Sequence, residues 1–180
     1  MVKIAVCVPT YKRPIYLKKC IDSLIAINMI EFDIIVIDND INKSALKTID
    51  ENLNKIIYLV QTKLGIPHVR NKVVDYCKNN NYTHIAFIDD DEQADINWLI
   101  NLYNSMKKYN ADVVHGPSIS KFSNKIPFWA HNSHFFIYNP RRMKTGTRLN
   151  SCATNNILMN LKIFEKFELP FDKRMVLTGG

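Results

Sequence analysis

Short apolar runs alternate with helix-like segments along the first two-thirds of the chain. Each run is rich in Val and Ile and has no polar alternation, which is typical of a strand buried on both faces. The predicted strands lie at residues 4–8, 33–38, 56–60, 84–88 and 112–114. This order predicts an α/β fold, with a mostly parallel sheet covered by helices on both faces.

The intervening segments have apolar residues at helical spacing. Pro14, Ser44 and Asp95 are residue types that commonly begin helices, and we expect Ser44 and Asp95 to act as caps. The predicted helices span residues 14–29, 44–53, 67–78 and 95–109.

The pattern changes after Gly116. Residues 117–150 are rich in Pro, Ser, Asn, aromatic and basic side chains and lack a clear period, which indicates a functional loop region over a site. A strand within 151–159 and a short helix at 161–167 are expected to follow. With 180 residues, we interpret the chain as a single domain in two segments, 1–116 and 117–180.

Composition excludes several classes of protein. The chain is 47% hydrophobic and 23% charged, close to the averages of globular proteins, and it has no run of about 18 apolar residues that would span a membrane. Pro9 interrupts the N-terminal apolar run too early for a signal peptide. The four cysteines form no CxxC pair, and three of them fall in apolar segments where a thiol packs as a small hydrophobe. We therefore expect structural packing, with metal or redox roles as the alternative, in a reducing, cytoplasmic protein.

The net charge of +7 comes from scattered Lys and Arg residues. They lack the dense basic and aromatic pattern of a nucleic-acid groove, so no nucleic-acid partner is predicted. A solvated basic surface is the favoured interpretation, and peripheral contact with an anionic membrane is a second hypothesis.

Four consecutive acidic residues, 89–92, follow the fourth predicted strand directly. Like charges at this spacing repel one another unless a cation offsets them. Carboxylate oxygens suit a hard ion, so the cluster indicates a Mg²⁺ or Mn²⁺ site that includes substrate phosphate. The alternative is a solvated acidic turn ahead of the next helix.

Polar residues also follow the first and second predicted strands. Thr10 and Tyr11 supply a hydroxyl and an aromatic face, and Asp38 supplies an acceptor for a base or a ribose. Because parallel strands end at one edge of a sheet, we expect these residues to meet the acidic cluster there. The alternatives are a Pro-Thr turn and an Asx turn formed by Asp38 with Asn39.

Gly65 precedes a predicted helix that carries Arg70 and Asn71. The helix N-terminus or Arg70 would suit a phosphate, although a Gly-Ile-Pro turn is ordinary by itself. The five histidines show no zinc-site spacing, and no GxSxG or Walker sequence is present.

Taken together, the motifs VPTYKRP, VIDND, GIPHVRN and FIDDDE followed by NWL resemble the family 2 glycosyltransferases. The resemblance implies a GT-A (Rossmann-like) fold that binds a nucleotide-diphosphate sugar. It makes residues 1–116 the nucleotide-sugar-binding half and 117–180 an acceptor-side segment that is incomplete at its C-terminus.

The resemblance also implies roles for individual residues. Asp89 and Asp91 match the outer positions of a DxD motif, with Asp91 as the expected direct ligand of Mn²⁺ or Mg²⁺. The residues expected around the nucleotide-sugar are Pro9, Thr10, Tyr11, Arg13, Asp38, Asn39, Gly65, Arg70, Asp89 and Asp90. Those expected around the donor sugar and the acceptor are Asn155, Asn156, Gly179 and Gly180.

Two departures from the family pattern matter. Asn39 stands where the family often has a second Asp, which bears on the identity of the nucleotide. The chain ends at Gly180, in what resembles the opening of a GG-[ED]-D segment, so we expect no catalytic base within it and place the base just after Gly180.

The predicted function is metal-assisted transfer of a sugar, with inversion, from a nucleotide diphosphate to an acceptor hydroxyl. The expected partners are a UDP-sugar and a glycan or lipid-linked acceptor, in cell-surface polysaccharide or lipopolysaccharide synthesis on the inner face of the membrane. A non-catalytic nucleotide-sugar-binding fragment is the alternative. A nucleotidyltransferase is disfavoured, because PTYKRP replaces the Gly-rich loop that it would need.

Overall fold

The computed structural model describes residues 2–49, 56–121, 143–165, 170–172 and 174. Its described strands form one six-stranded sheet in the order β3-β2-β1-β4-β6-β5. The strands are β1 (Ile4–Thr10), β2 (Asp33–Asp38), β3 (Ile56–Val60), β4 (His84–Phe87), β5 (Val113–His115) and β6 (Ile157–Asn160).

The first four strands are parallel, as predicted. β1 pairs with both β2 and β4, and β2 pairs with β3. The predicted α/β fold with a mostly parallel sheet is therefore confirmed.

β6 lies between β4 and β5 and runs antiparallel to both. β6 is shorter than the strand expected within 151–159. It adds a strand from the second segment, 117–180, to the sheet formed by strands of the first segment, 1–116. Register pairs Phe87 of β4 and His115 of β5 with the same residue, Ile157.

The helices are α1 (Pro14–Ile25), α2 (Leu46–Ile49), α3 (Ile66–Asn79) and α4 (Trp98–Tyr109), and a 3-10 helix spans Leu161–Phe164. α1 begins at Pro14 as predicted but ends before residue 29. The 3-10 helix is shorter than the helix expected at 161–167, of which residues 166–167 lie outside the described part.

Two predicted caps were wrong. α2 begins at Leu46, and the Ser44 hydroxyl instead accepts a hydrogen bond from the Lys12 amide at 3.3 Å. α4 begins at Trp98, and the Asp95 carboxylate accepts from the Asn97 amide at 2.9 Å, within a turn before the helix. Both side chains satisfy backbone donors, but outside the helices to which they were assigned.

The sheet is covered on both faces, and each face has its own apolar core. One core joins the sheet to α1, α2 and α4, with Leu17, Leu24 and Leu99 fully buried. The other joins the sheet to α3 and the 3-10 helix, with Val73 and Phe164 buried. Burial of large aliphatic side chains stabilises such layers by about 1.5–3 kcal/mol each.

All four cysteines are free thiols. Cys7, Cys20 and Cys77 are buried in the two cores and Cys152 is exposed. Burial raises the pKa of the Cys7 thiol, which keeps it protonated and unreactive. The structure therefore agrees with packing roles for the three buried cysteines.

Over the described ranges, no helix combines the length and the apolar character that crossing a bilayer requires.

Candidate functional site

The carboxyl ends of β1, β2 and β4 meet at one edge of the sheet. Thr10 is in register with Asp38, and the Asn39 amide donates to the Thr10 carbonyl at 2.9 Å. On the other side of β1, the Thr10 hydroxyl donates to Asp90 Oδ2 at 2.7 Å. The three polar segments that the sequence places after these strands therefore lie together.

Arg13 links the end of β1 to the acidic cluster. It is the residue before α1, and its Nη1 lies 3.1 Å from Asp91 Oδ2 and 3.4 Å from Asp90 Oδ1. The side chains of Arg13 and Asp91 are about half exposed, at 55% and 50%. The guanidinium thus lies over two of the clustered carboxylates at the mouth of the site.

The surroundings of Asp89 and Asp90 disfavour the charged forms of these two carboxyl groups and raise their pKa. Burial is the main cause that raises the pKa of Asp90, against the opposing effects of the Thr10 hydrogen bond and the Arg13 charge. Burial and then the Glu92 charge raise the pKa of Asp89, with Arg70 acting in the opposite direction. A cation bound here would relieve part of this repulsion.

Glu92 connects the cluster to the later part of the chain. Its Oε2 accepts from the Asp89 amide at 3.2 Å, which closes the turn. Its Oε1 accepts from Asn155 Nδ2 at 2.7 Å and from the Ser118 hydroxyl at 3.3 Å. Sequence reasoning placed Glu92 in the cluster but missed this bridging role, because its partners are distant in the sequence.

Arg70 reaches the site from α3 on the other face of the sheet. Its guanidinium lies beside the edge-to-face pair of Phe87 and Phe171, 5.8 Å from the centre of each ring, and its Nη2 is 4.0 Å from Asp89 Oδ1. Burial lowers the pKa of Arg70, and its buried Nε has no hydrogen-bond acceptor among the described residues. An anionic ligand would satisfy this guanidinium.

Asn71 fixes the aromatic residue that packs on Arg70. Its side chain donates to the Phe171 carbonyl at 2.8 Å and accepts from the Phe171 amide at 2.9 Å. Neither Phe171 nor this pairing was predicted, since no local pattern connects residues 100 positions apart.

Asp38 lies at the predicted edge but is fully buried. Its Oδ1 accepts from the Asp40 amide at 2.9 Å, and its Oδ2 accepts from the Ala45 amide at 2.8 Å and the Tyr58 hydroxyl at 2.9 Å. These contacts fix the loop between β2 and α2, and they occupy the carboxylate that we expected to face the nucleotide.

Asn39 is equally engaged with the protein. Its Nδ2 donates to the carbonyls of Gln61 and Lys63 at 2.7 and 2.8 Å, and its Oδ1 accepts from the Gly65 amide at 2.8 Å. Gly65 has a φ of 119°, a conformation that favours glycine, and it immediately precedes α3. Asn39 therefore shapes the turn that leads to Arg70.

Tyr11 and Pro9 flank Thr10 at the end of β1. The Tyr11 ring is 43% exposed, with Lys12 Nζ 5.0 Å from its centre, and it remains available to stack on a planar ligand. Pro9 is half-buried within the strand and pairs in register with Ile37.

Asn156 closes the site beside Asn155. Its Oδ1 accepts from Trp98 Nε1 at 2.7 Å, and its Nδ2 donates to the Pro117 carbonyl at 2.8 Å. A Cβ on Gly116 would lie 2.5 Å from Asn156 Oδ1, so this contact requires glycine. Gly179 and Gly180, the other two residues predicted for this region, lie outside the described residues.

The donor set fits a hard divalent cation. Asp89 and Asp91 present oxygen ligands that are 42% and 50% exposed. Within the described ranges, no three or more His, Cys, Asp or Glu side chains are grouped to hold a metal by themselves. One or two carboxylates completed by water and substrate phosphate are the usual magnesium site, and Asp89 and Asp91 supply oxygen donors of this type.

Comparison with known proteins identifies the family. The sequence model for glycosyl transferase family 2 matches residues 5–167. The chain belongs to glycosyl transferase family 2. This membership confirms the resemblance seen in the motifs.

Two curated relatives agree with family 2 membership. The chain is 28% identical to the glycosyltransferase GlyA of Streptococcus pneumoniae over 72% of its own length and 18% of that protein. It is 31% identical to the succinoglycan biosynthesis protein ExoM of Rhizobium meliloti over 74% of its length and 44% of that protein. The chain thus spans less than half of either relative.

Solved structures show that the fold is that of family 2 glycosyltransferases with the GT-A architecture. Staphylococcus aureus TarS in complex with UDP-GlcNAc superposes with a TM-score of 0.64 at 18% identity, over 91% of this chain and 46% of that one. The mannosyltransferase PcManGT of Pyrobaculum calidifontis, in complex with GDP-Man and Mn²⁺, gives a TM-score of 0.55 at 14% identity, over 64% and 35%.

Proposed function

We propose that this protein transfers a sugar from a nucleotide diphosphate, with a UDP-sugar as the donor, to an acceptor hydroxyl with the help of Mn²⁺ or Mg²⁺. The observation that carries the proposal is the contact between two strand ends. Thr10 and Arg13 after β1 meet Asp90 and Asp91 after β4, which builds a polar cradle at the edge where α/β sheets bind ligands.

In this proposal, the base and ribose lie against the end of β1. The exposed Tyr11 ring stacks on the base, and Asp90, oriented by Thr10, lies near the ribose. Asp38 and Asn39 support these contacts by fixing the loops on either side, since their side chains are already bonded to the protein. Pro9, which precedes Thr10 in β1, contacts the base and ribose from the same strand.

The diphosphate lies between Asp91 and Arg70. Asp91, with Asp89, would hold the divalent cation, which as a Lewis acid supplies charge stabilisation for the departing diphosphate. Arg70 donates to a phosphate oxygen from a position held against the rings of Phe87 and Phe171. Its unsatisfied Nε supports this role.

The donor sugar and the acceptor lie on the side of Asn155 and Asn156. Asn155 is connected to the cluster through Glu92, which places an amide beside the carboxylates. The proposed reaction inverts the anomeric carbon, because a base takes the proton from the acceptor hydroxyl as it attacks directly. We also propose that Gly179 and Gly180 contact the donor sugar and the acceptor. In this proposal residues 1–116 bind the nucleotide-sugar, and residues 117–180 form the acceptor side.

The comparisons support the substrate class. TarS is described in complex with UDP-GlcNAc, PcManGT with GDP-Man and Mn²⁺, and ExoM as a protein of succinoglycan biosynthesis. We propose a glycan or lipid-linked acceptor in polysaccharide synthesis, used at the cytoplasmic face of an anionic membrane.

Calorimetry with UDP, GDP and ADP, with and without Mn²⁺, tests the proposal. UDP is expected to bind in the presence of Mn²⁺, and Asp91→Asn is expected to weaken that binding by at least about 10-fold, because a ligand charge is removed. Asp22→Asn is the matched control, since this exposed carboxylate pairs with Lys18 on α1. Equal UDP affinity with and without Mn²⁺, or no binding of any nucleotide, would contradict the metal-bound donor.

A donor-hydrolysis assay with UDP-GlcNAc then separates an enzyme from a binding protein. Release of UDP that depends on Mn²⁺ and is lost in Asp91→Asn supports transfer chemistry. Tight UDP binding without any release would favour a nucleotide-sugar-binding protein instead.

A further inference from the structure

We propose that Arg13 is an internal counter-cation that occupies Asp91 in the absence of ligands and thereby makes the binding of metal and nucleotide diphosphate mutually dependent. This inference rests on the proposed function, because it assumes that Asp91 is the metal ligand. It assigns to Arg13 a positioning role that differs from a simple contact with the nucleotide.

The first step is the position of the guanidinium. Arg13 Nη1 is 3.1 Å from Asp91 Oδ2 and 3.4 Å from Asp90 Oδ1, so it bridges two carboxylates of the cluster. Asp90 has a second donor, the Thr10 hydroxyl at 2.7 Å. Among the described residues, Arg13 is the side-chain partner of Asp91. Loss of this pair therefore leaves Asp91 without its side-chain donor, whereas Asp90 keeps the Thr10 hydroxyl.

The second step is competition. A divalent cation binds a carboxylate oxygen at about 2.0–2.1 Å and attracts the same lone pairs that Arg13 uses. A guanidinium within hydrogen-bond distance of that oxygen would lie beside the bound dication, and like charges at this separation repel strongly. Metal binding at Asp91 Oδ2, the oxygen that Arg13 contacts, would therefore displace Arg13.

The third step is the difference between the two arginines at the site. The Arg70 side chain is only 13% exposed and lies against the rings of Phe87 and Phe171, so its movement is restricted. The Arg13 side chain is 55% exposed and extends from the residue before α1, so it is free to change rotamer. Arg13 is the cation that moves.

The fourth step is the destination of Arg13. When metal binds alone, the displaced guanidinium loses its charge-assisted hydrogen bond to Asp91 and keeps at most the longer contact with Asp90. When a nucleotide diphosphate is also bound, its phosphate oxygens offer a new anionic partner that suits a guanidinium. Each ligand therefore lowers the cost of binding the other, and linkage makes this coupling reciprocal.

The test measures Mn²⁺ affinity by calorimetry, first alone and then at saturating UDP. The variants are Arg13→Gln, Arg13→Lys and the control Lys18→Gln, which removes one positive charge from an exposed position on α1. Arg13→Gln is expected to tighten Mn²⁺ binding alone by about 3- to 10-fold. Arg13→Gln should also reduce the ratio of the Mn²⁺ affinity at saturating UDP to the Mn²⁺ affinity without UDP.

The other variants sharpen the interpretation. Arg13→Lys keeps the charge and should return Mn²⁺ affinity toward the wild-type value, whereas Lys18→Gln should leave both affinities unchanged. Circular dichroism melts establish that each variant is folded, as expected for substitutions at exposed side chains.

The outcomes separate this inference from the proposed function. If Arg13→Gln leaves Mn²⁺ affinity unchanged or weakens it while Asp91→Asn abolishes Mn²⁺ binding, the counter-cation role is wrong and the metal site stands. If neither substitution changes Mn²⁺ affinity, Asp91 is not the metal ligand, and both the inference and the metal part of the proposed function fail.

Discussion

The Thr10 hydroxyl donates a 2.7 Å hydrogen bond to Asp90 Oδ2, although the two residues are 80 positions apart. Both are nearly buried, at 5% exposure each. A hydrogen bond to a carboxylate in such a setting is stronger than one between neutral groups. This bond joins the ends of β1 and β4 and fixes the carboxylate at the centre of the acidic cluster.

We expect Thr10→Val to lower the free energy of unfolding by about 1–3 kcal/mol, because the replacement keeps the shape but leaves a buried carboxylate with one donor fewer. Urea denaturation of the wild type, Thr10→Val, Asp90→Asn and the double variant measures the coupling between the two side chains. Strictly additive effects of the two substitutions would show that the hydrogen bond does not contribute.

Asn39→Asp should destabilise the protein. The substitution replaces an amide that donates to the carbonyls of Gln61 and Lys63 with a carboxylate that would face both oxygens. We expect a loss of about 2–4 kcal/mol in urea denaturation. Asn42→Asp, the same change at an exposed position of the same loop, is the control and should be nearly neutral.

Gly116→Ala should displace the Asn156 side chain, because the new Cβ would lie 2.5 Å from Asn156 Oδ1. We expect a loss of about 1–3 kcal/mol together with a change in tryptophan fluorescence, since Trp98 would lose its acceptor. In an Asn156→Ala background, the cost of Gly116→Ala should largely disappear. An equal cost in both backgrounds would argue against a steric origin.

His84 should make the protein less stable as the pH falls from about 7 to 5. Burial lowers the pKa of His84, so the unfolded chain, with an ordinary value of about 6.5, takes up a proton before the folded chain does. Acidification therefore favours the unfolded state until the pH falls below the folded pKa. His115, whose pKa burial also lowers, acts in the same direction.

Thermal melts of the wild type and His84→Gln between pH 7.5 and 5 check this expectation. The wild type should lose about 1–2 °C more in Tm on acidification than the variant, and His84→Gln/His115→Gln should reduce the acid loss further. Parallel pH profiles of all three proteins would show that His84 does not contribute.

The strands were predictable because each is a continuous apolar run that a two-sided sheet buries. β1 to β4 lie close to the residues expected from such runs, and the convergence of Thr10, Asp38 and Asp90 follows from parallel order alone. The antiparallel direction of β6 was not predictable, because an apolar run carries no information about strand direction.

The functions of individual polar side chains depended on contacts that sequence patterns do not show. Asp38 was predicted to accept from a base or a ribose hydroxyl, and the structure adds that its carboxylate accepts from Tyr58 and from two amides of the following loop. Ser44 was predicted to cap a helix, yet its hydroxyl is used by the Lys12 amide. Tyr58 of β3 and Lys12 after β1 are distant in the sequence from Asp38 and Ser44, and such partners cannot be identified from spacing.

The position of β6 has a consequence for how the molecule assembles. Its pairing of Ile157 with Phe87 joins residues far apart in the sequence, so forming it incurs a large loop-closure entropy and should follow the more local β1–β2 and β2–β3 pairings. Asn155 approaches Glu92 through that same docking. The acidic cluster at residues 89–92 therefore reaches its final hydrogen bonding only when β6 pairs with β4, late in folding. Amide hydrogen exchange at Leu158 and at Glu92 should slow at the same time during refolding.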